Sequence, residues 1–285
     1  MSSTIKDRII NSLGSLDSDR LKRFKEKLID MGKDGQFPRV EVINCDTIDL
    51  ATRLINVFEE DGAVNKTITI LRGLHENKIA SDLEGKMEHG RLAVDLEFER
   101  ARRNAVDVTL DPRTAHPHLI LSEDGKQVRH GDTRQDLPNN PERFTSCVDV
   151  LGKDGFTSGR HYWEVKVKNK SAWTLGVVRE SIKRKGQITL CPEAGIWTVW
   201  LRGGTYTANS TVPVDLRLAQ KPQKVGVCVD YEEGQVSFYN VEARSHMFTF
   251  YDTFREKIYP FFSPCTNDGG ENSAPLIITP VSPPE

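Results

Sequence analysis

Apolar residues recur along this chain at two different periods, and the change between them divides it in two. Up to about residue 85 the spacing is helical. Ile5, Ile9 and Leu13 form one stripe, and Leu21, Phe24, Leu28 and Met31 a second. Leu50, Leu54 and Val57 form a third, and Val64, Ile68, Leu71 and Leu74 a fourth. Asp17 or Ser18 is placed to cap the second helix, with Asp19 as a favourable first-turn charge. Gly32 and Gly35 end that helix, and Pro38 prevents its continuation. Asp61-Gly62 reads as a break, and Ile79 and Leu83 as inward positions of a short last helix. Five or six short helices in about 80 residues can bury a common core only as a compact bundle.

Residues 86–104 are charged and lack proline. They read as a linker, with Glu97 to Arg103 able to extend a helix but too short for a coiled coil. From Val106 the period becomes two. Trp163, Val165 and Val167 alternate with Glu164, Lys166 and Lys168, and Val225, Val227 and Val229 repeat the pattern, as do Val236 and Phe238. The segment from Asp230 to Gln235 reads as a hairpin turn, Phe248 and Phe250 mark a further strand, and the tail from Thr279 to Glu285 is expected to fray. Many short strands separated by turn signals predict an antiparallel sandwich. The fold class is therefore multidomain: an all-α bundle over 1–85, a linker over 86–104 and an all-β sandwich over 105–285.

Composition narrows the function classes. The 285 residues suffice for two domains of ordinary size, and the formal net charge of −2 offers no basic excess to attract nucleic acid. No apolar run reaches the roughly 20 residues of a membrane span, and the N-terminus lacks the apolar core of a signal peptide, so the expected compartment is the cytoplasm. The five cysteines are scattered, without the close pairing of a zinc site or a disulfide framework, and read as buried or half-buried side chains. No GxSxG, HExxH or GxxxxGK[ST] motif is present, so neither hydrolytic chemistry nor nucleotide-driven switching is expected. His116 and His118 would share a face on a strand, a spacing open to a metal pair. No metal, cofactor or catalytic residue is assigned.

Two resemblances sharpen this reading. Leu13, Leu16, Leu21, Lys22, Phe24, Lys25 and Leu28, then Pro38-Arg39, Asp49-Leu50-Ala51 and Ile70-Leu71-Arg72, make the first half similar to the pyrin domain, a six-helix member of the death fold. The second half resembles B30.2 (PRY-SPRY) domains through Val108-Thr109-Leu110-Asp111-Pro112, His161-Tyr162-Trp163-Glu164-Val165, the run from Val229 to Asn240, and Tyr259-Pro260-Phe261-Phe262. The pairing resembles inflammasome-type regulators and short fish-type proteins related to the TRIM and NLR families. It lacks the closely spaced cysteine and histidine ligands of a RING or B-box.

The resemblances imply two binding surfaces. Pyrin domains assemble with their own kind, a basic patch of one copy meeting an acidic patch of the next. Lys22, Lys27 and Arg39 match the basic side, with Arg23 and Lys25 nearby, and Asp7, Asp46 and Asp49 the acidic side. Gly14 stands where the adaptor of the family has an acid. A lysine-rich helix face also reads simply as a solvated one. B30.2 domains bind through loops at one end of the sandwich, and the pocket positions correspond to Thr174, Trp200, Arg202 and Thr266, with Trp200 as aromatic anchor. Trp197 and Val199, on the other face of that strand, read as core, and so does Trp163. An antibody-binding relative has an acid, a second tryptophan and a phenylalanine where Thr174, Arg202 and Thr266 stand, so its ligand is not carried over. Arg179, Lys183, Arg184 and Lys185 form a basic loop beside the site, a solvated turn or a contact for an acidic partner. The expected function is innate-immune signalling with a pyrin-domain adaptor as partner and a protein or small ligand on the B30.2 domain. The alternatives are a substrate-recognition accessory of a RING ubiquitin ligase and a filament-capping decoy.

Overall fold

The structure is a computed structural model that describes residues 4–32, 36–186 and 188–282. Gly35, expected to help end the second helix, lies outside the described residues. The chain divides after Ala93 into two compact units.

In the first unit α1 (Ile5–Gly14) opens on a capping box, the Thr4 hydroxyl accepting from the Asp7 amide while the Asp7 carboxylate takes up the Thr4 amide. Asp17 caps α2 (Ser18–Met31), and Pro38 starts the short α3 (Arg39–Asn44). Asp46 caps α4 (Thr47–Gly73), accepting from Ile48 and Asp49 at 2.9 and 2.8 Å. α4 is two helices joined at Glu59, whose backbone is non-helical (φ 60°, ψ 177°). The break thus falls just before Asp61-Gly62, where the sequence placed it. The start of α5 (Asn77–Arg102) supplies the sixth helical segment through buried Ala80 and Leu83. The four apolar stripes converge as expected: Ile9, Leu13, Phe24, Leu28, Leu50, Leu54 and Leu71 are fully buried. Arg8 donates to the Lys86 carbonyl at 2.9 Å, fastening α1 to α5.

The second unit is an antiparallel sandwich. Its strands are β1 (Leu119–Leu121), β2 (Gln127–His130), β3 (Val150–Leu151), β4 (Arg160–Lys166), β5 (Trp173–Arg179), β6 (Ile196–Arg202), β7 (Thr205–Ala208), β8 (Val214–Leu216), β9 (Lys224–Asp230), β10 (Gln235–Asn240), β11 (Ser245–Tyr251), β12 (Ile258–Ser263) and β13 (Leu276–Thr279). A seven-stranded sheet runs β1-β2-β13-β4-β9-β10-β11, and a six-stranded sheet runs β3-β12-β5-β6-β7-β8. The core includes Trp163, Val165, Val167, Trp173, Trp197, Val199, Val225, Val227, Val229, Val236 and Phe238, the inward residues that period-two alternation selects. The β9–β10 turn needs Gly234 at φ 64°, because a Cβ there would fall 1.6 Å from the Asp252 carbonyl oxygen.

Two expectations change. The segment read as a linker is helical to Arg102, and its last turns belong to the β unit, where Phe98 is 1% exposed against Tyr162 and Tyr239. For that reason Glu164, an outward position by alternation, is buried too. It accepts from Tyr162 at 3.1 Å and Lys224 at 2.8 Å and lies 3.3 Å from Arg102. The tail is also tied down over its described part. Thr279 closes β13, Val281 packs beside Phe98, and Arg102 donates to the Ser282 carbonyl at 3.1 Å.

Candidate functional site

The first unit exposes charges of both signs on its helices, Asp19, Asp30 and Glu41 on α2 and α3 and Arg72 on α4 among them, and the candidates for a homotypic contact lie within that mixture. Lys22, Arg23 and Lys27 on α2 and Arg39 at the start of α3 are exposed, with Arg23 and Lys27 one turn apart. Asp7 in α1 and Asp46 and Asp49 at the start of α4 are exposed as well, and α1 packs on α4. Two of these acids have a local use that explains them in part. Asp7 completes the capping box of α1 and Asp46 caps α4, and the Thr4 hydroxyl and amide hold the Asp7 carboxyl below its ordinary range. Lys25 leaves the group altogether. It is 8% exposed and donates to the carbonyls of Ile43 and Cys45 at 2.9 and 2.6 Å, tying α2 to the end of α3. A lysine stem lying in the core with its ammonium on two carbonyls is a structural clip. Gly14 is exposed with open space around it, so packing does not require glycine there.

On the second unit three of the residues expected to line a pocket, Thr174, Trp200 and Arg202, gather on the outer face of the six-stranded sheet. Ser263, Thr174, Trp200, Thr207 and Asp215 are successive partners across β12, β5, β6, β7 and β8, which makes one polar row around a half-buried tryptophan. Arg202 lies over the Trp200 ring, its guanidinium carbon 5.1 Å from the centroid. It donates to the carbonyls of Trp173 and Leu201 at 3.0 and 2.9 Å and to the Thr174 hydroxyl at 3.1 Å. Thr174, Trp200 and Arg202 therefore form one fixed constellation, with the indole and part of the guanidinium presented outward.

Beneath it sits Asp149, which the sequence reading passed over. It is 4% exposed, and burial pushes its carboxyl up to about 7, against the pull of the Ser263 hydroxyl and the Arg202 charge. An acid placed just before Val150 and Leu151, at the start of an otherwise apolar strand, was the available signal. Asn272, also missed, secures the loop that carries Thr266. Its buried amide accepts from Ser171 and Ala172 and donates to the carbonyls of Ala172, Pro264 and Thr266, all within 3.2 Å. The Thr266 hydroxyl itself turns to Asp268 at 2.8 Å.

Arg179 and Lys183 do not join this constellation. Arg179 closes the far end of β5, five residues or roughly 16 Å from Thr174, and packs over Gly195. Lys183 is exposed in the loop beyond. The rest of that basic loop is absorbed by the fold. Arg184 lies over Phe144 and donates to the Glu142 carbonyl, while Lys185 donates to Asn139 and Asn140. His116 and His118 are stacked with His130 in series, ring centroids 5.6 and 5.3 Å apart. The His116 nitrogens meet the His118 amide and the Thr145 carbonyl, so they are not free for a metal. The five cysteines are all unpaired, four half-buried and Cys265 buried.

Trp197, on the inner face of the same strand, is 5% exposed and Trp163 1%, in agreement with their reading as core. Because Trp200 lies outside that core, Trp200→Ala is expected to weaken partner capture roughly 5- to 30-fold with the melting temperature nearly unchanged. Calorimetry beside a binding titration checks this, and a large melting shift would place Trp200 in the core instead.

Comparison with known proteins agrees with both halves. Residues 8–81 match the PAAD/DAPIN/Pyrin domain family, residues 108–156 the SPRY-associated domain family, and residues 160–277 the SPRY domain family. The chain therefore joins a pyrin domain to a PRY-SPRY (B30.2) domain. Erythroid membrane-associated protein of Homo sapiens is 48% identical over 203 residues, which cover 71% of this chain and 43% of that protein. Pyrin of Homo sapiens is 50% identical over 187 residues, covering 65% of this chain and 24% of its own length. The chain thus spans less than half the length of these curated relatives. The crystal structure of the TRIM65 PSpry domain shares the fold, with a TM-score of 0.55 at 24% identity over 64% of this chain and 93% of that one.

Proposed function

We propose that this chain is an innate-immune adaptor without catalytic activity, acting in the cytoplasm. Its pyrin domain assembles with a pyrin-domain adaptor of an inflammasome, and its B30.2 domain captures a protein ligand on the Trp200 face. The observation that carries the reading is that the basic candidates Lys22, Arg23, Lys27 and Arg39 are exposed on α2 and α3 and the acidic candidates Asp7, Asp46 and Asp49 on α1 and at the start of α4, among further exposed charges of both signs. A contact between two different patches repeats without closing, so such a surface builds an open filament. Opposite charge guides encounter and fixes register there. Among the described residues no helix is long and apolar enough to cross a membrane.

Co-expression with a pyrin-domain adaptor tests the proposal. The wild-type chain is expected to induce adaptor specks, and Arg39→Glu, which puts an acid into the basic patch, to abolish them along with filaments of the pyrin unit. Unchanged assembly by light scattering or electron microscopy would sink the charge-guided contact. Suppressed specks would mark a filament-capping decoy, and no effect would favour an accessory of a RING ligase.

A further inference from the structure

β11 is the last strand of the seven-stranded sheet, paired with β10 on one side only. Along its other side lies a cleft of about 720 Å³ whose lining runs without a gap through Phe248, Thr249, Phe250, Tyr251 and Asp252. Side chains of a strand alternate between faces, so a cleft that meets every successive residue meets the backbone edge. The direction of that edge follows from one hydrogen bond. The Asp252 amide donates to the Gly234 carbonyl at 2.8 Å, on the β10 side. By the two-residue alternation of an antiparallel ladder, Phe250 and Phe248 also direct their backbone groups to β10. Thr249 and Tyr251 then present their N–H and C=O groups to the cleft.

Beyond a bulge at Met247, this edge is also the least guarded of the four sheet edges. The other terminal strands are short: β1 has three residues, β3 two, and β8 three, with Asp215 at its centre and Pro213 just before it. β11 has seven, and the four that follow its bulge at Met247, Phe-Thr-Phe-Tyr, pair in continuous register with β10 and contain neither proline nor charge. Sheet proteins ordinarily blunt an edge with exactly such devices, because unpaired backbone groups on a flat apolar strand template another strand. Here the edge ends at a 75%-exposed tyrosine, and Trp197 and Phe254, packed edge-to-face at 5.0 Å, also line the cleft.

We propose that the free edge of β11 receives an extended peptide segment of a partner protein as an added strand, its backbone pairing with Thr249 and Tyr251 and its alternate apolar side chains facing Trp197 and Phe254. This surface is separate from the Trp200 face and stands or falls independently of it.

The test pans a phage-displayed library of random eight-residue peptides on the full chain and resynthesises the selected sequences. They are expected to alternate apolar with polar residues and to bind Tyr251→Ala within about threefold of wild type. Tyr251→Pro removes the outward N–H at a position where an edge strand tolerates proline and is expected to bind them about tenfold more weakly. On the wild-type chain, single backbone N-methylation at alternate peptide positions should cost the same tenfold and at the intervening positions little, which holds whether or not Tyr251→Pro folds. Trp200→Ala should leave binding unchanged. The proposal is overturned by an empty selection, by peptides indifferent to N-methylation, by equal losses in Tyr251→Ala and Tyr251→Pro, or by sedimentation showing that this edge pairs a second copy of the chain.

Discussion

Replacing Phe98 with alanine should lower the stability of the β unit by about 3–5 kcal/mol, although the residue lies in a segment that reads as a linker. The ring is 1% exposed, edge-on to Tyr162 at 6.4 Å and tilted against Tyr239 at 5.6 Å. Two guanidinium groups flank it, Arg102 at 5.7 Å and Arg244 at 5.4 Å from its centroid. Arg244 in turn donates to Asp95 at 3.0 Å and Glu99 at 2.6 Å, so the same helical turns are held by charge as well. Removing the ring leaves a cavity against Tyr162 and Tyr239, bounded by a sheet that cannot collapse into it. Scanning calorimetry of the full chain should show the β-unit transition lowered by roughly 6–20 °C. Leu96→Ala, two residues away on the opposite side of the helix and 50% exposed, should change it by no more than about 0.5 kcal/mol. A chain begun at Ala105, the boundary the strand pattern suggests, should lose as much stability as Phe98→Ala. If Phe98→Ala melts like wild type, the last turns of α5 are not part of the β unit.

The same turns explain where sequence reading succeeded and where it stopped. Periodicity located the helical stripes and the inward strand residues because a face against a core must be apolar, whatever the topology: Leu13, Leu28, Trp163 and Val227 could be named on spacing alone. It could not say what covers the outward residues. Glu164 follows the polar phase of its strand and Lys25 flanks the Leu21–Leu28 stripe of α2, and both charged groups are buried, one under α5 and the other on the carbonyls at the end of α3. Those contacts span 62 and up to 20 positions of sequence, a separation no local pattern encodes.

The pocket divided along the same line. Thr174, Trp200 and Arg202 were accessible through family motifs, and cross-strand register brings them together. Arg179 looked like a neighbour only because the chain near it is basic, whereas strand rise carries it to the opposite end of β5. The β11 edge had no signal of its own. An apolar alternating strand reads the same whether it ends a sheet or lies inside one.

Asp149 gives the second large effect, and its sign distinguishes it from an ordinary surface acid. A carboxyl that ionises near 3.8 in the unfolded chain is pushed up to about 7 in the folded one, burial being the largest cause. Between those values the folded protein holds a proton that the unfolded chain has released. Stability from this group is therefore full below about pH 4 and falls as pH rises toward 7, beyond which it levels off. At 1.36 kcal/mol per unit the loss approaches about 4 kcal/mol. Asp149→Asn keeps the shape of the protonated acid and cannot ionise, so it should track wild type near pH 4 and exceed it by a few kcal/mol at pH 8. Other carboxylates contribute equally to both proteins and cancel in the difference. Denaturant unfolding at pH 4, 6 and 8 reads that difference directly. Parallel profiles would mean that Arg202 and Ser263 keep Asp149 ionised throughout, and that the charge beneath Trp200 is balanced at every pH. A difference that opens between pH 4 and 7 would mean that Arg202 holds its place over Trp200 above a neutral acid, by its hydrogen bonds to Trp173, Thr174 and Leu201.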